Sequence, residues 1–126
     1  AGMNPEDVDH INTHGTSTPI GDVAEVKAIQ ELFGEHAYNI HLTSSKSMTG
    51  HLLGATGAVE AIISLLSMQH GMVTPTINHE AGDEDTKIDY KLNFTFNQAQ
   101  ARNIRYAMSN NFGFGGHNAC LLFKKL

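Results

Sequence analysis

Apolar positions follow a strand-like and then a helix-like pattern in the first third of the chain. Residues 8–12 form a short strand candidate, and the turn-rich stretch THGTSTPIGD follows it. Apolar residues then recur at helical spacing, at Val23, Val26, Ile29 and Phe33. This spacing predicts a helix that starts near Asp22 and ends at Gly34.

Two acidic residues lie at the start of this first predicted helix. Asp22 fits the N-cap, and Glu25 lies three residues later, which is the spacing of a capping box. We therefore interpret Glu25 mainly as a capping residue.

A second helix is predicted over residues 55–70, with Gly71 as its C-terminal stop. Its apolar residues cover nearly every face and are Ala58, Val59, Ala61, Ile62, Ile63, Leu65, Leu66 and Met68. A helix that is apolar on all sides is expected to be buried rather than amphipathic. Glu60 is the one carboxylate in this apolar stretch.

Strands are predicted near residues 92–96, 104–109 and 119–123. The glycine-rich stretch NNFGFGGHN joins the last two into a hairpin. The predicted order is strand, helix, short strand, helix and paired strands. This order indicates an α/β protein built on a mixed sheet.

Length and composition favour one globular domain over residues 1–126, with 40% hydrophobic and 17% charged residues. The net charge of −5 argues against a nucleic-acid partner. No apolar stretch approaches the roughly 20 residues that a membrane-spanning helix needs. We expect a cytoplasmic protein. Cys120 is the single cysteine, which excludes a disulfide framework within the chain.

The Glu60 carboxylate predicts a cationic partner, because an unpaired charge in a buried helix is costly. Lys46 lies upstream, in the turn that leads into the helix, and His51 lies between the two. The positive end of the helix dipole favours a neutral imidazole at His51. A purely structural ion pair with an uninvolved histidine is the alternative, and both interpretations stay open.

His14 follows the first predicted strand, where α/β sheets bind their ligands. His14 and His51 both lie at transitions into helices. We expect these two segments and the glycine-rich stretch to converge. A metal site drawn from the eight histidines is an alternative, but His10 and His14, which are four apart, lie on a predicted strand and loop, where that spacing does not place them on one face.

Three stretches, NTHGTSTPIGD, SSKSMTGHLLGATGAVE and NFGFGGHNACL, resemble in order and spacing the signatures of β-ketoacyl-acyl-carrier-protein synthases. The likeness is to the C-terminal half of the type II elongating enzymes. It implies a thiolase-like α/β fold in which a mixed five-stranded sheet packs between helices. The family's nucleophilic cysteine belongs to the N-terminal half, so these 126 residues alone are expected to be inactive.

The resemblance also implies roles for residues of the first two stretches. His14 and His51 match the catalytic histidines that hold a malonyl thioester carbonyl and stabilise the enolate. Lys46 and Glu60 match a supporting ion pair.

Further roles follow from the same resemblance. Thr16 and Thr18 match hydroxyl groups that bind the pantetheine arm. Phe114 matches an aromatic gate beside the cysteine, and its backbone N–H contributes to the oxyanion hole. Cys120, in contrast, lies in an apolar strand and is expected to be a small buried residue.

Acyl-carrier protein and malonyl-acyl-carrier protein are the partners that the resemblance implies. The carrier brings the phosphopantetheine, so no cofactor of the enzyme's own is expected. The N-terminal half of the same enzyme and a second copy in a homodimer are further expected partners. The alternative function is a non-catalytic interaction module with the same fold.

Overall fold

The computed structural model describes residues 1–126, and its helices and strands follow the predicted order. The elements are β1 (His10–Asn12), α1 (Gly21–Phe33), β2 (His41–Thr43), α2 (Lys46–Thr49), α3 (Thr56–His70), β3 (Met72–Val73), β4 (Gln100–Ala101), β5 (Tyr106–Gly113) and β6 (His117–Lys124). Short 3₁₀ turns at Pro5–Asp7, Gly34–Asn39 and Leu53–Ala55 lie between them.

A mixed sheet with the strand order β2-β1-β5-β6 forms the centre of the molecule. β1 pairs in parallel with β2 and with β5, so His10 lies opposite His41 on one side and Ala107 on the other. β6 runs antiparallel to β5. Since three neighbouring strands are parallel, the segments that follow β1, β2 and β5 leave the sheet at one edge.

The fifth strand of the expected sheet is reduced to a single parallel bridge between His41 and Asn93. The predicted strand over residues 92–96 does not form. Thr95 and Asn97 have φ values of 51° and 59°, which interrupt the extended backbone that a strand requires. The sheet therefore has four strands, and the single bridge to Asn93 marks the place of a fifth strand next to β2.

Two apolar clusters cover opposite faces of this sheet. The larger one contains Ile11 of β1 and Ile29 of α1, with Met108 packed against it. The smaller one contains Ala107 of β5 and Met68 of α3. Because adjacent residues of a strand point to opposite faces, Ala107 and Met108 place α3 on one face and α1 on the other.

α1 begins and ends close to the predicted positions, but the predicted capping of its first turn is absent. Gly34, at φ 53°, follows the helix directly. No side chain caps its first turn. Asp22 instead accepts a hydrogen bond from the Ser17 N–H at 3.1 Å, and Glu25 is buried, so the capping-box interpretation of Glu25 is wrong.

The bounds of α3 confirm the prediction, including Gly71 as its left-handed C-terminal stop. The expected burial on all sides is wrong, because Ile62, Leu65 and Leu66 are 56%, 46% and 47% exposed. The residues that face the protein are mostly small or polar and are Thr56, Glu60, Ser64, Ser67 and Met68. No helix of the chain is both long enough and apolar enough to cross a membrane.

The β5–β6 hairpin contains most of the stretch predicted as its loop. Residues 110–113 belong to β5, and β6 begins at His117, so the turn is only Phe114–Gly116. Gly115 and Gly116 have φ values of 82° and 81°, which side chains rarely tolerate. Cys120 is exposed, because β6 is the uncovered edge strand. Its predicted burial is therefore wrong.

His10 generates a prediction about stability and pH. Its side chain is fully buried, neither ring nitrogen has a hydrogen-bond partner, and burial lowers its pKa from 6.5 to about 4. The unfolded chain therefore takes up a proton first as the pH falls. The stability that neutral His10 contributes is present above pH 6.5 and decreases towards pH 4, by up to about 3 kcal/mol.

Urea unfolding at pH 7 and pH 4.5 checks this expectation with His10→Phe, which fills the space without ionising. The variant should gain stability relative to the parent as the pH falls. His70→Phe, at an exposed position, is the matched control and should show no such gain. A constant difference between parent and His10→Phe would contradict a buried neutral ring.

Candidate active site

His14 and His51 meet at the edge where the parallel strands end. Their ring centroids are 5.5 Å apart, and the ring planes are nearly perpendicular at 85°. His14 lies in the loop after β1, and His51 lies in the turn before α3. Phe112 of β5 brings the third segment to the site, with its ring centroid 5.2 Å from that of His14. The three segments therefore converge as the sequence predicted.

Glu25 holds the loop that carries His14. Its two carboxylate oxygens accept hydrogen bonds from the backbone N–H groups of His14 and Gly15, each at 2.9 Å. The Asn110 amide donates a third hydrogen bond to Glu25, at 3.1 Å. Three donors offset the cost of burying this charge, and they fix the backbone of the loop.

This role of Glu25 differs from the predicted capping role, although the sequence contains one signal for it. Glu25 lies four residues before Ile29 and eight before Phe33, so it belongs to the buried stripe of α1. A carboxylate on such a stripe needs donors from elsewhere in the fold. Glu25 is therefore, like Glu60, a buried carboxylate in an apolar helix face that needs a partner.

Gly15 allows the His14 loop to lie directly against the segment after β2. Its φ is 37°, and a Cβ atom there would lie 2.7 Å from Thr13 Oγ1 and 2.8 Å from Ser44 Cβ. The Ser44 hydroxyl donates to the Gly15 carbonyl at 2.6 Å. A side chain at position 15 would separate the two segments that carry the histidines.

The predicted Lys46–Glu60 ion pair is formed. Lys46 Nζ lies 2.6 Å from Glu60 Oε1, and the two side chains are 5% and 1% exposed. Asn111 donates to Glu60 Oε2 at 3.3 Å, and the Ser45 hydroxyl donates to Oε1 at 3.4 Å. Burial raises the pKa of the Glu60 carboxyl, whereas these three partners favour its charged form. The part that the pair plays in catalysis stays a prediction.

The surroundings of His51 select one tautomer of its neutral ring. The backbone N–H of Leu53 donates to Nδ1 at 3.2 Å, and Thr56 Oγ1 lies 3.0 Å from the same nitrogen. Because Nδ1 accepts a hydrogen bond, the proton of the neutral ring is on Nε2. The Nε2–H group makes no hydrogen bond within the chain and is free to donate to a ligand.

His14 favours the uncharged state. Burial, with smaller effects of the Lys46 and His51 charges, lowers the pKa of its imidazole below the ordinary value. Its Nδ1 atom is buried and has no hydrogen-bond partner. A neutral imidazole can donate one hydrogen bond to an oxygen on which negative charge develops.

Thr16 and Thr18 lie on the wall of an open cavity of about 810 Å³, with Lys46 and His51 elsewhere on its lining. The two threonine hydroxyl oxygens are 3.4 Å apart. Val23, Val26, Leu42, Ile88 and Phe94 supply apolar lining. The cavity therefore offers both hydroxyl groups and apolar surface next to one of the histidines.

Phe114 is not brought to the histidines within this chain. It lies at the tip of the hairpin turn and is 97% exposed, whereas Phe112, two residues earlier, contacts His14. A side chain so exposed fills no core, so core packing does not explain Phe114. Its role as a gate stays a prediction.

Cys120 is also unsuited to act as the nucleophile. Partial burial, together with the Glu25 charge, raises the pKa of its thiol. A raised pKa leaves less of the reactive thiolate at neutral pH. For the metal alternative, no three His, Cys, Asp or Glu side chains lie close enough together to hold an ion.

A mixed sheet packs between α1 and α3, with a histidine pair at the end of its parallel strands, and this architecture is a thiolase-like α/β fold. Solved structures support this class. The chain superimposes with a TM-score of 0.91 on a type II polyketide ketosynthase in complex with its acyl-carrier protein, at 33% identity over 98% of this chain and 29% of that one. It superimposes with a TM-score of 0.88 on a β-ketoacyl synthase from Burkholderia phymatum, at 37% identity over 98% of this chain and 29% of that one.

Sequence comparison gives the family. The model of the β-ketoacyl synthase C-terminal domain matches residues 1–80. The chain belongs to the β-ketoacyl synthase family. It is 54% identical to 3-oxoacyl-(acyl-carrier-protein) synthase 2 of Staphylococcus aureus strain COL, over 99% of this chain and 29% of that protein. The same enzyme of Synechocystis is 49% identical, over 99% and 29%. The chain thus spans less than a third of these relatives.

The Lys46–Glu60 pair generates a second prediction. Glu60→Ala should destabilise the protein by about 3 kcal/mol, because it leaves the buried Lys46 ammonium unpaired. Denaturant melts of parent and variant measure this difference. Glu31→Ala, on the exposed side of α1, is the control and should change the unfolding free energy by less than about 0.5 kcal/mol. A Glu60→Ala effect as small as the control's would show that the pair contributes little.

Proposed function

We propose that the protein containing this chain is a 3-oxoacyl-acyl-carrier-protein synthase of fatty acid elongation. The observation that carries the proposal is the histidine pair at 5.5 Å, held by the buried carboxylates Glu25 and Glu60. The identity of 54% over 99% of the chain to an enzyme of that name supports it. A non-catalytic interaction module would have no need for this arrangement.

The reaction joins an acyl group to a two-carbon unit. A cysteine outside this chain holds the acyl group as a thioester, and malonyl-acyl-carrier protein enters the site. Loss of carbon dioxide leaves an electron pair on the α-carbon, delocalised onto the thioester oxygen. The α-carbon then attacks the acyl carbonyl, so that a carbon–carbon bond forms and the bond to the cysteine sulfur breaks. The released thiolate takes up a proton from solvent.

His14 and His51 stabilise the charge that develops on the thioester oxygen. His51 donates from Nε2, because Nδ1 already accepts the hydrogen bond of Leu53. His14 donates as a neutral ring, since its lowered pKa disfavours the imidazolium. Donors that are already oriented stabilise the enolate without reorganising during the reaction.

Lys46 and Glu60 hold the segment before His51 in place. The ion pair joins α2 to α3, and the turn that carries His51 lies between these helices. This geometry gives the pair a supporting role. Neither group needs to exchange a proton with the substrate.

Thr16 and Thr18 bind the pantetheine arm along the cavity wall. The carrier protein supplies that arm, so the enzyme needs no cofactor of its own. A polyketide ketosynthase of the same fold was solved with its acyl-carrier protein, which supports a carrier as the partner. Phe114 gates the site from the hairpin tip, where its exposure leaves the ring free to move.

The exposed apolar face of α3 is the contact surface for the rest of the enzyme. Ile62, Leu65 and Leu66 lie on this face, and Leu121 of the edge strand β6 is also exposed. The relatives are more than three times as long as this chain, so a large part of the enzyme is available to cover it. That part carries the nucleophilic cysteine, and the complete enzyme forms a homodimer.

Substitution of the histidines tests the proposed function. In the full-length protein, His14→Ala and His51→Ala should each slow malonyl decarboxylation about 100-fold, the usual effect of losing one oxyanion donor. Carbon dioxide release from malonyl-acyl-carrier protein measures the rate, and mass spectrometry measures acylation of the cysteine, which should persist.

His70→Ala, at the exposed end of α3, is the control and should decarboxylate at the parental rate. A parental rate in either active-site variant would remove that histidine from the mechanism. A full-length parent that neither takes up acyl groups nor decarboxylates would instead favour the interaction module.

A further inference from the structure

We propose that Asn110 and Asn111, adjacent on β5, are positioning residues that together set the spacing of His14 and His51. The proposal rests on the proposed function, because it assigns the pair to the same site. Neither asparagine touches the reacting atoms. Each acts through a buried carboxylate that holds one histidine-bearing segment.

Asn110 connects β5 to the His14 loop. Its side chain is buried, at 4% exposure, and its amide donates to Glu25 Oε1 at 3.1 Å. The same oxygen accepts the backbone N–H of His14 at 2.9 Å. A single oxygen atom therefore joins the strand to the residue that carries the first imidazole.

Asn111 connects β5 to the segment that carries His51. Its amide donates to Glu60 Oε2 at 3.3 Å, while Lys46 occupies Oε1 at 2.6 Å. With both oxygens occupied, the carboxylate has less freedom to rotate away from Lys46. The strand thereby supports the ion pair on which the turn before α3 depends.

Two adjacent residues are required because Glu25 and Glu60 lie on opposite faces of the sheet. Neighbouring side chains of a strand point to opposite faces, so one residue cannot reach both carboxylates. Asn110 points towards α1, and Asn111 points towards α3. A single peptide bond joins the two residues, which fixes the distance between the two links.

An amide also suits both positions electrostatically. It donates a hydrogen bond without adding charge, so the Lys46–Glu60 pair stays neutral overall. A carboxylate at either position would repel its glutamate. A lysine at position 111 would compete with Lys46 for Glu60 and would add positive charge near His14, whose ring is already biased against protonation.

The hairpin that follows extends this connection. Phe112 lies 5.2 Å from His14, and the turn that carries Phe114 begins two residues later. A displacement of β5 is therefore transmitted to both histidine segments at once. The position of the hairpin and the positions of the two imidazoles are therefore coupled through β5.

The test compares Asn110→Ala and Asn111→Ala in the full-length protein labelled with ¹³C at histidine Cε1. Asn110→Ala should shift the His14 signal, and Asn111→Ala should shift that of His51, whereas the signal of His36 should stay in place. Each variant should lower kcat for malonyl decarboxylation about tenfold. A loss of this size is at the lower end of those caused by removing a residue that orients a catalytic group through one neighbour. The KM for malonyl-acyl-carrier protein and acylation of the cysteine should not change.

The controls separate positioning from general stability. Asn39→Ala, at an exposed position, should leave the signals and rates unchanged. In a Glu60→Gln background, Asn111→Ala should cause little further loss, because its route to His51 is already disrupted. Asn111→Ser serves as a milder second variant if Asn111→Ala does not fold.

Equal losses in both half-reactions with a lower Tm and unshifted histidine signals would overturn the proposal, because the asparagines would then be purely structural. If Asn111→Ala still lowers kcat about tenfold in the Glu60→Gln background, Asn111 does not act on His51 through Glu60, and the proposal fails. If the parent does not decarboxylate malonyl-acyl-carrier protein, the proposed function fails. The histidine signals still decide the positioning claim in that case.

Discussion

The buried Lys46–Glu60 ion pair is the interaction on which the geometry of the candidate site depends. Removing two charges from water costs several kcal/mol per ion, and their attraction offsets this only when both are well hydrogen-bonded. Lys46, Ser45 and Asn111 together supply donors to both oxygens of Glu60. The arrangement confines the segment between α2 and α3, and His51 is part of that segment.

Glu25 is the counterpart of Glu60 on the other face of the sheet, and it uses different chemistry. Backbone N–H groups of His14 and Gly15 replace the lysine, together with the amide of Asn110. A loop held through its own backbone cannot move without breaking charged hydrogen bonds. The two histidines are thus fixed from two sides, each by a carboxylate that β5 also contacts.

Local patterns in the sequence predicted the features that depend on local interactions. The glycines at 34 and 71 gave the helix ends correctly, and the apolar surroundings of Glu60 correctly indicated a buried partner. The burial of Glu25 could be inferred from its place on the apolar stripe of α1, but its partner Asn110 could not, because it lies 85 residues away. Contacts of this kind depend on how the strands assemble, which no short window of sequence contains.

The errors in predicted burial have a related cause. Cys120 and Leu65 have the apolar neighbours of core residues, yet both are exposed, because β6 is an edge strand and one face of α3 is uncovered. An apolar composition indicates that a surface is more stable when it is buried, but it does not identify the part of the protein that covers it. The roles predicted for Thr16, Thr18 and Phe114 rest on family resemblance, because a hydroxyl or aromatic side chain in a turn is compatible with several functions.

In the proposed mechanism, His14 and His51 both donate hydrogen bonds to one thioester oxygen. Isotope-edited infrared spectroscopy tests it directly in the full-length protein, with a ¹³C-carbonyl malonyl-pantetheine analogue whose carboxylate is replaced by a sulfonate. The carbonyl stretch of the bound analogue should lie at a lower frequency than in water, and it should rise in both His14→Ala and His51→Ala. A frequency that neither substitution changes, with the analogue still bound, would show that neither imidazole donates to this oxygen.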